Sequence, residues 1–482
     1  MATPGVDYNQ AHTPKFGGGV GDTLLHPAVL IAMLLALVLF FVLPRKYVIV
    51  PVLVTTFLIP AWQQFYVAGV HLFVFRLLIL VAFTRVLVIK TPKQKSIYAG
   101  GWNSIDTAFT CYVVVSAAAT MAQYPDVGAL VNQVGYLWDF LLGYLLLRSL
   151  IRNENDCYLV FKCFAGLMVV LAAGMVYEQM TRVNLFGLLG GVAAIPEVRE
   201  GKIRSQAAFQ HSLTAGTFAA TAIPLFFLLW KNGKAKLLSV VGIVAATVMT
   251  FTTQTSTSLL TYAASIGAVF LWPLRKKMKM MRTGFVVALV GLYLAMKAPV
   301  WFLIARIDLT GSSSSYHRAE LIDQFVNHFS SWWLIGTKDA ATWGWDMWDA
   351  QNMYVSVGEA GGLAALVFFI LVISRSFSRL GKARKRATSK KQEWFFWLLG
   401  VAMFANVVAF FGVNYFDQAK MGWFALVAMV CACTAPVIAP GLKFKPAEGT
   451  ADLVEVPAPY AADPIPGPEA QSTRPMSRYL FN

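Results

Sequence analysis

The chain has 482 residues, 57% of them hydrophobic and only 13% charged, with a mean hydropathy of +0.59. Soluble domains carry about 25% charged residues, so this chain lacks the polar groups to cover a water-soluble core of its size. A net charge of +16 would suggest nucleic acid in a soluble protein, but here the basic residues sit in short loops between apolar runs, as membrane-orientation signals do, and no nucleic-acid role is expected.

Residues 1–26 are polar and poor in basic charge, and read as an exterior N-terminal tail. No small-residue cleavage site follows the first apolar run, which therefore reads as a retained span. About thirteen crossings follow, predicted near Pro27–Leu43, Tyr47–Ile59, Val70–Ile89, Ser104–Met121, Leu130–Leu150, Tyr158–Tyr177, Gln206–Trp230, Leu237–Thr253, Ser258–Leu274, Gly284–Leu303, Met353–Ser374, Trp394–Gly412 and Met421–Pro436. The second is short and Pro-bounded, and reads equally as a tilted or re-entrant segment. The predicted fold class is an all-α polytopic transmembrane bundle of 12 to 13 spans over residues 27–440. Residues 441–482, rich in Pro and Ala without periodicity, read as a disordered cytosolic tail.

One set of alternating loops holds Arg45-Lys46, Lys90/Lys93/Lys95, Arg148/Arg152, Lys231/Lys234/Lys236, the run Arg275 to Arg282 and the dense run Arg375 to Lys391. In the other set, residues 60–69, 122–129 and 253–257 have no Lys or Arg. This asymmetry puts the N-terminus outside and the C-terminus in the cytoplasm. The five cysteines lie in or beside apolar segments; Cys431 and Cys433, two apart on a helix, point in different directions and suggest no zinc site.

Two exterior loops break the charge pattern. In the first, Arg204 precedes the seventh predicted span in IRSQAAFQHSLTAGTF, and seven-residue spacing places His211 on its helical face. The second, residues 304–352, is the longest loop. Its segment RAELIDQFVNHF puts Leu321, Ile322, Phe325, Val326 and Phe329 on one face of an amphipathic helix, expected at the membrane interface with Arg318 in its first turn. The loop ends in WGWDMWDAQNMYV, where Asn352 and Glu359 share a face of the next span. A lone arginine at a span end is ordinarily a snorkelling anchor, and the tryptophans are ordinarily interface anchors. An ionisable group inside a span, such as Glu359, is costly and usually functional. Arg76 and Asp139, inside the third and fifth spans, should face the interior and pair; a structural ion pair outranks a role for Arg76 in gripping a headgroup.

The segment SSYHRAELIDQF…WWLIGT…WDAQNMYVSVGEAGGLAAL resembles the signature region of the O-antigen ligase/polymerase-like membrane proteins, the lipopolysaccharide O-antigen ligases and the polymerases of undecaprenyl-diphosphate-linked glycans. Arg318 follows GSSSSYH, Gly336 fills the family's Gly position, and Gln351-Asn352-x-x-Val355 is followed by Gly362 where the family has His-Asn-x-x-Leu and a later Gly. Arg204 stands in the position of the family's middle-span arginine. The resemblance runs from about Arg204 to Leu366, and the earlier spans match in hydropathy alone.

The resemblance implies metal-independent, cofactor-free glycosyl transfer at the exterior face, from a polyprenyl-diphosphate-linked glycan donor to a glycan or lipid acceptor, among membrane lipids and other polysaccharide assembly proteins. Arg204 and Arg318 would hold the diphosphate. Gln351, Asn352, Tyr354, Glu359 and His211 would line the substrate site. Gln351 replaces the family's proposed catalytic His, and an amide cannot take a proton at neutral pH. Asp349 is the leading substitute base, then His317. The rival readings are a lipid-linked oligosaccharide transporter or flippase, and a non-catalytic scaffold of a polysaccharide assembly complex.

Overall fold

A computed structural model describes residues 22–89, 96–233, 235–306 and 314–438. Most of the N-terminal tail, the tail 441–482 and the stretch 307–313 lie outside the described residues.

The architecture is all-α and polytopic, with two short β-hairpins as its only sheets among the described residues. In chain order the helices are α1 Pro27–Val42, α2 Ile49–Leu58, α3 Val74–Val88, α4 Ser104–Gln123, α5 Val127–Leu137, α6 Gly143–Leu150, α7 Glu154–Thr181, α8 Ser212–Asn232, α9 Lys236–Thr252, α10 Ser256–Phe270, α11 Met278–Ala295, α12 Ser314–Asn327, α13 Phe329–Trp332, α14 Met353–Lys385, α15 Lys390–Ala409 and α16 Ala419–Ile438. A π-turn, Trp138–Leu142, joins α5 to α6, and a 3-10 turn, Trp272–Lys277, leads into α11. Eight helical stretches among the described residues are long and apolar enough to cross a membrane, so this is a membrane protein. Each of the thirteen predicted crossings contains a helix, but several are shorter than a bilayer.

Several boundaries differ from expectation, two of them near the bundle's ends in ways the local sequence explains. Residues Val70–Phe73 form strand β2, paired with β1 (Gln64–Val67), so the third helix starts only at Val74. The helix of the tenth predicted crossing, α11, runs earlier than predicted, from Met278 to Ala295, because the basic residues at its start accept helical geometry and the chain ahead of the Ala298-Pro299 step leaves it.

At one end of the bundle arginines bind backbone carbonyls, one of them (Ile97 O) in the loop before α4 and two at helix C-termini. Arg85 donates to Leu43 O at 2.6 Å, Arg152 to Ile97 O at 2.6 Å and Arg386 to Ile438 O at 2.5 Å. A guanidinium at a helix C-terminus satisfies orphan carbonyls and opposes the negative pole of the helix dipole. Arg148 goes deepest. It and Asp106 are fully buried and paired at 3.1 Å, while Tyr144 donates to the same carboxylate at 2.6 Å and Asp106 closes a capping box with Asn103. Removing one charge of such a pair strands the other, so Asp106→Asn is expected to cost about 3–5 kcal/mol. Thermal unfolding in detergent checks this; an unchanged midpoint would show the pair to be dispensable.

The far end is tied by amides in place of cations. Gln63 donates to Leu189 O at 2.7 Å, Gln179 to Thr252 O at 2.7 Å and Gln418 to Ala208 O at 2.8 Å, so the loops at this end share hydrogen bonds.

Helix α14 is broken. Gly362 has φ +69° and ψ −170°, and the segment Trp333–Thr337 lies against the break. Thr337 N donates to Glu359 O, and Leu363 N donates to Trp333 O, both at 2.8 Å. Gln123 adds bonds to Ile335 O at 2.6 Å and Ala360 O at 3.2 Å. At 1.5 Å rise per residue, Glu359 lies about 9 Å along the helix from Met353. Irregular backbone at that depth persists only where protein groups satisfy it, and WWLIGT supplies them.

Candidate functional site

The far end carries most of the residues singled out from the sequence. Arg204 is in strand β4 (Lys202–Arg204), opposite Glu197 of β3 (Glu197–Arg199), and pairs with it at 2.9 Å. His211 is the N-cap of α8, seven residues on, so the two do not share a helical face as expected. Residues 205–211 cannot be helical because their backbone is already engaged. Glu178 accepts from Gln206 N and Ala207 N, Asn184 donates to Ala207 O at 2.9 Å, and Ala207 itself has φ +50°.

Asp349 is where the sequence candidates meet. Its carboxylate accepts from Gln351 Nε2 at 2.6 Å. Burial pushes its pKa up from the ordinary carboxylate range; the Gln351 bond and the nearby imidazoles of His317 and His211 pull it partly back, and Asp346 pushes it further up. His211 at the start of α8 and His317 in the first turn of α12 are thus close enough to act electrostatically on this carboxylate of the loop before α14. Neither ring nitrogen of His317 has a hydrogen-bond partner among the described residues, although both are buried. Arg318 is 7% exposed, on the same inward side of α12 as Ser315 and Ala319.

The amphipathic helix is present, with a correction to its surroundings. Leu321 and Phe325 pack with Trp332, Trp343, Met347 and Val355 in a small core of the loop's own, while Val326 and Phe329 are exposed. Its apolar face thus serves protein as well as any interface. Trp345 stays out, 79% exposed.

Asn352 does not offer its amide to a ligand. It is the N-cap of α14: Oδ1 accepts from Tyr354 N and Val355 N, Nδ2 donates to Phe411 O at 3.2 Å, and the residue is 1% exposed. The seven-residue spacing to Glu359 holds, but the cap takes up the amide oxygen and Phe411 O takes one amide N–H. Tyr354 is likewise engaged, its hydroxyl donating to Val407 O at 3.2 Å and its ring against Phe369, Phe410 and Phe411. Glu359 ends the first half of α14, with Oε1 buried and without a hydrogen-bond partner among the described residues.

Arg76 and Asp139 pair as expected, through two bonds of 2.9 and 3.1 Å. The π-turn at Asp139 and the missing Cβ of Gly135, which would lie 2.6 Å from the guanidinium, make the room. Sequence reasoning missed Lys420, whose Nζ is 3.5 Å from Asp139 and stands over the rings of Phe75 and Phe140. It also missed Asp417, which is buried, pushed up in pKa by that burial, and bonded by Thr214 at 2.6 Å and Gln210 N at 3.3 Å. His211 follows Gln210 and stands edge-on to Phe416, so the α16 entry braces the start of α8. The one available signal was the polar run NYFDQ, 414–418, between two apolar helices. Among the described residues no three His, Cys, Asp or Glu side chains are grouped to hold a metal ion.

The fold and this cluster define a polytopic α-helical membrane protein with a titratable centre in its far-end loops. No protein-family model matches the chain, and no curated protein matches it.

Proposed function

We propose that this protein is a membrane glycosyltransferase of the inner cell membrane, taking glycan from an undecaprenyl-diphosphate carrier at the exterior face. The observation that supports this best is the convergence of Asp349, Gln351, His317 and His211 one residue from buried Arg318. The basic loops at the opposite end favour placing that end in the cytoplasm and the cluster outside. In this reading Asp349 takes the proton of an acceptor hydroxyl as its oxygen attacks the anomeric carbon, and the carrier diphosphate leaves. Gln351, in the position of the family's His, orients the carboxylate. Arg318 offsets charge on the leaving diphosphate, and His317 and His211 offer it ring N–H donors. Arg204 contributes less than first expected, because Glu197 already compensates its charge. The acceptor is a glycan or a lipid, and partners in polysaccharide assembly would deliver donor and remove product.

The base assignment fixes the pH dependence. A carboxylic acid cannot accept the acceptor's proton, so the rate falls as pH drops through the Asp349 pKa. Burial raises that pKa, placing the acid limb above roughly pH 4, the ordinary carboxylate value. Donor turnover by wild-type membranes across pH should show this limb, and Asp349→Asn should remove both limb and activity. An unchanged profile in Asp349→Asn would rule out Asp349 as base. Glycan profiles of cells with and without the chain separate the subtypes: loss of long polymer marks a polymerase, loss of attachment a ligase.

A carrier for lipid-linked oligosaccharide is the second reading, favoured by the broken helix at Gly362, since discontinuous helices line transport sites. Flux of labelled glycan lipid into sealed vesicles, without bond cleavage, would select it.

A further inference from the structure

Helix α11 stands apart from the bundle. None of its residues is buried, and Phe285, Val286, Val287, Val290, Tyr293 and Leu294 are all more than half exposed. The turn that carries its basic end is, by contrast, fixed. Trp272 stacks on Trp394 at 3.8 Å, Arg275 lies over Trp272 at 4.0 Å and pairs with Glu393 at 2.9 Å. Beyond this anchor, Lys276, Lys277 and Lys279 are exposed and make no hydrogen bond or ion pair among the described residues. No Asp or Glu occurs between Glu200 and Asp308, so no acidic neighbour in this part of the sequence competes for them.

These lysines rim an open groove of about 630 Å³, continued by Met280, Thr283, Gly284 and Val287. Positions 280, 283, 284 and 287 fall on one face of α11, and a Cβ at Gly284 would meet nothing within 4 Å. The groove thus begins in positive charge at the membrane boundary and runs into a bare apolar wall. We propose that it binds an anionic phospholipid, with the headgroup phosphate on Lys276, Lys277 and Lys279 and an acyl chain along Met280, Gly284 and Val287. The assignment is independent of glycosyl transfer. The lysine rim selects for negative charge, which an anionic headgroup supplies and an apolar protein helix does not.

The test uses full-length protein in detergent, titrated with phosphatidylglycerol, phosphatidylcholine or inorganic phosphate and followed by native mass spectrometry. Phosphatidylglycerol should bind in preference to the other two. The triple variant Lys276→Ala/Lys277→Ala/Lys279→Ala should bind it about a hundredfold more weakly. Gly284→Leu should weaken the lipid by filling the acyl track. A control, Lys382→Ala/Lys385→Ala/Lys390→Ala, removes the same charge from the same end and should bind as wild type. Equal losses in both triple variants, or phosphate binding as well as the lipid, would overturn the proposal. So would undiminished binding by Gly284→Leu together with the first triple variant.

Discussion

Membranes carrying Arg318→Ala are expected to turn over a polyprenyl-diphosphate-linked donor at least about a hundredfold more slowly than wild type. The size follows from burial. At 7% exposure the guanidinium acts through little water, so its field at a developing diphosphate is weakly screened. Arg204→Ala should cost less, within about tenfold, since Glu197 already holds that charge in the β3–β4 hairpin. Arg318→Lys keeps the charge but loses the planar fork, and should fall between the two. Donor consumption in matched membranes, normalised to folded protein, measures all three. Equal rates for Arg318→Ala and wild type would remove the anchor from the proposed chemistry.

The second large effect concerns folding. Gly336 has φ +83°, and a Cβ there would overlap the Glu359 carbonyl oxygen. Gly362 has φ +69°, with a Cβ 2.7 Å from Leu334 O. These two glycines let the WWLIGT segment enter the broken helix, and both faces of the contact are backbone, which cannot swing aside. Gly336→Ala is therefore expected to cost roughly 3 kcal/mol or more, combining strained φ with the displaced Thr337–Glu359 bond. Gly166→Ala and Gly400→Ala, in α7 and α15 with nothing within 4 Å, should instead be neutral or stabilising by about 0.5–1 kcal/mol. Yield and thermal midpoint in detergent distinguish the two groups. A Gly336→Ala protein as stable as wild type would mean that the segment does not lie in the break.

Hydropathy exposed the helices because the bilayer imposes a length and an apolar composition that few other contexts share. It could not expose the break in α14, since the apolar run continues through Gly361-Gly362 and only tertiary partners show where the backbone departs. The Arg204–His211 spacing misled for a related reason. Seven residues align two side chains only on a continuous helix, and Glu178, Asn184 and Gln418 from elsewhere in the chain hold residues 206–208 in another form. Arg76 and Asp139 were legible as a pair because two opposite charges in separate spans have few other ways to be buried. Lys420 and Asp417 sat at a helix start, where charges are ordinary, and only the fold reveals that they face inward. Asn352 was legible as important but not as a cap.

The most direct measurement gives purified full-length protein, in detergent or nanodiscs, a labelled undecaprenyl-diphosphate glycan and an acceptor glycan. The account predicts release of undecaprenyl diphosphate in step with a lengthened or newly attached glycan, lost in Asp349→Asn and Arg318→Ala. Donor left intact by well-folded wild-type protein, with or without its movement across the bilayer, would contradict it.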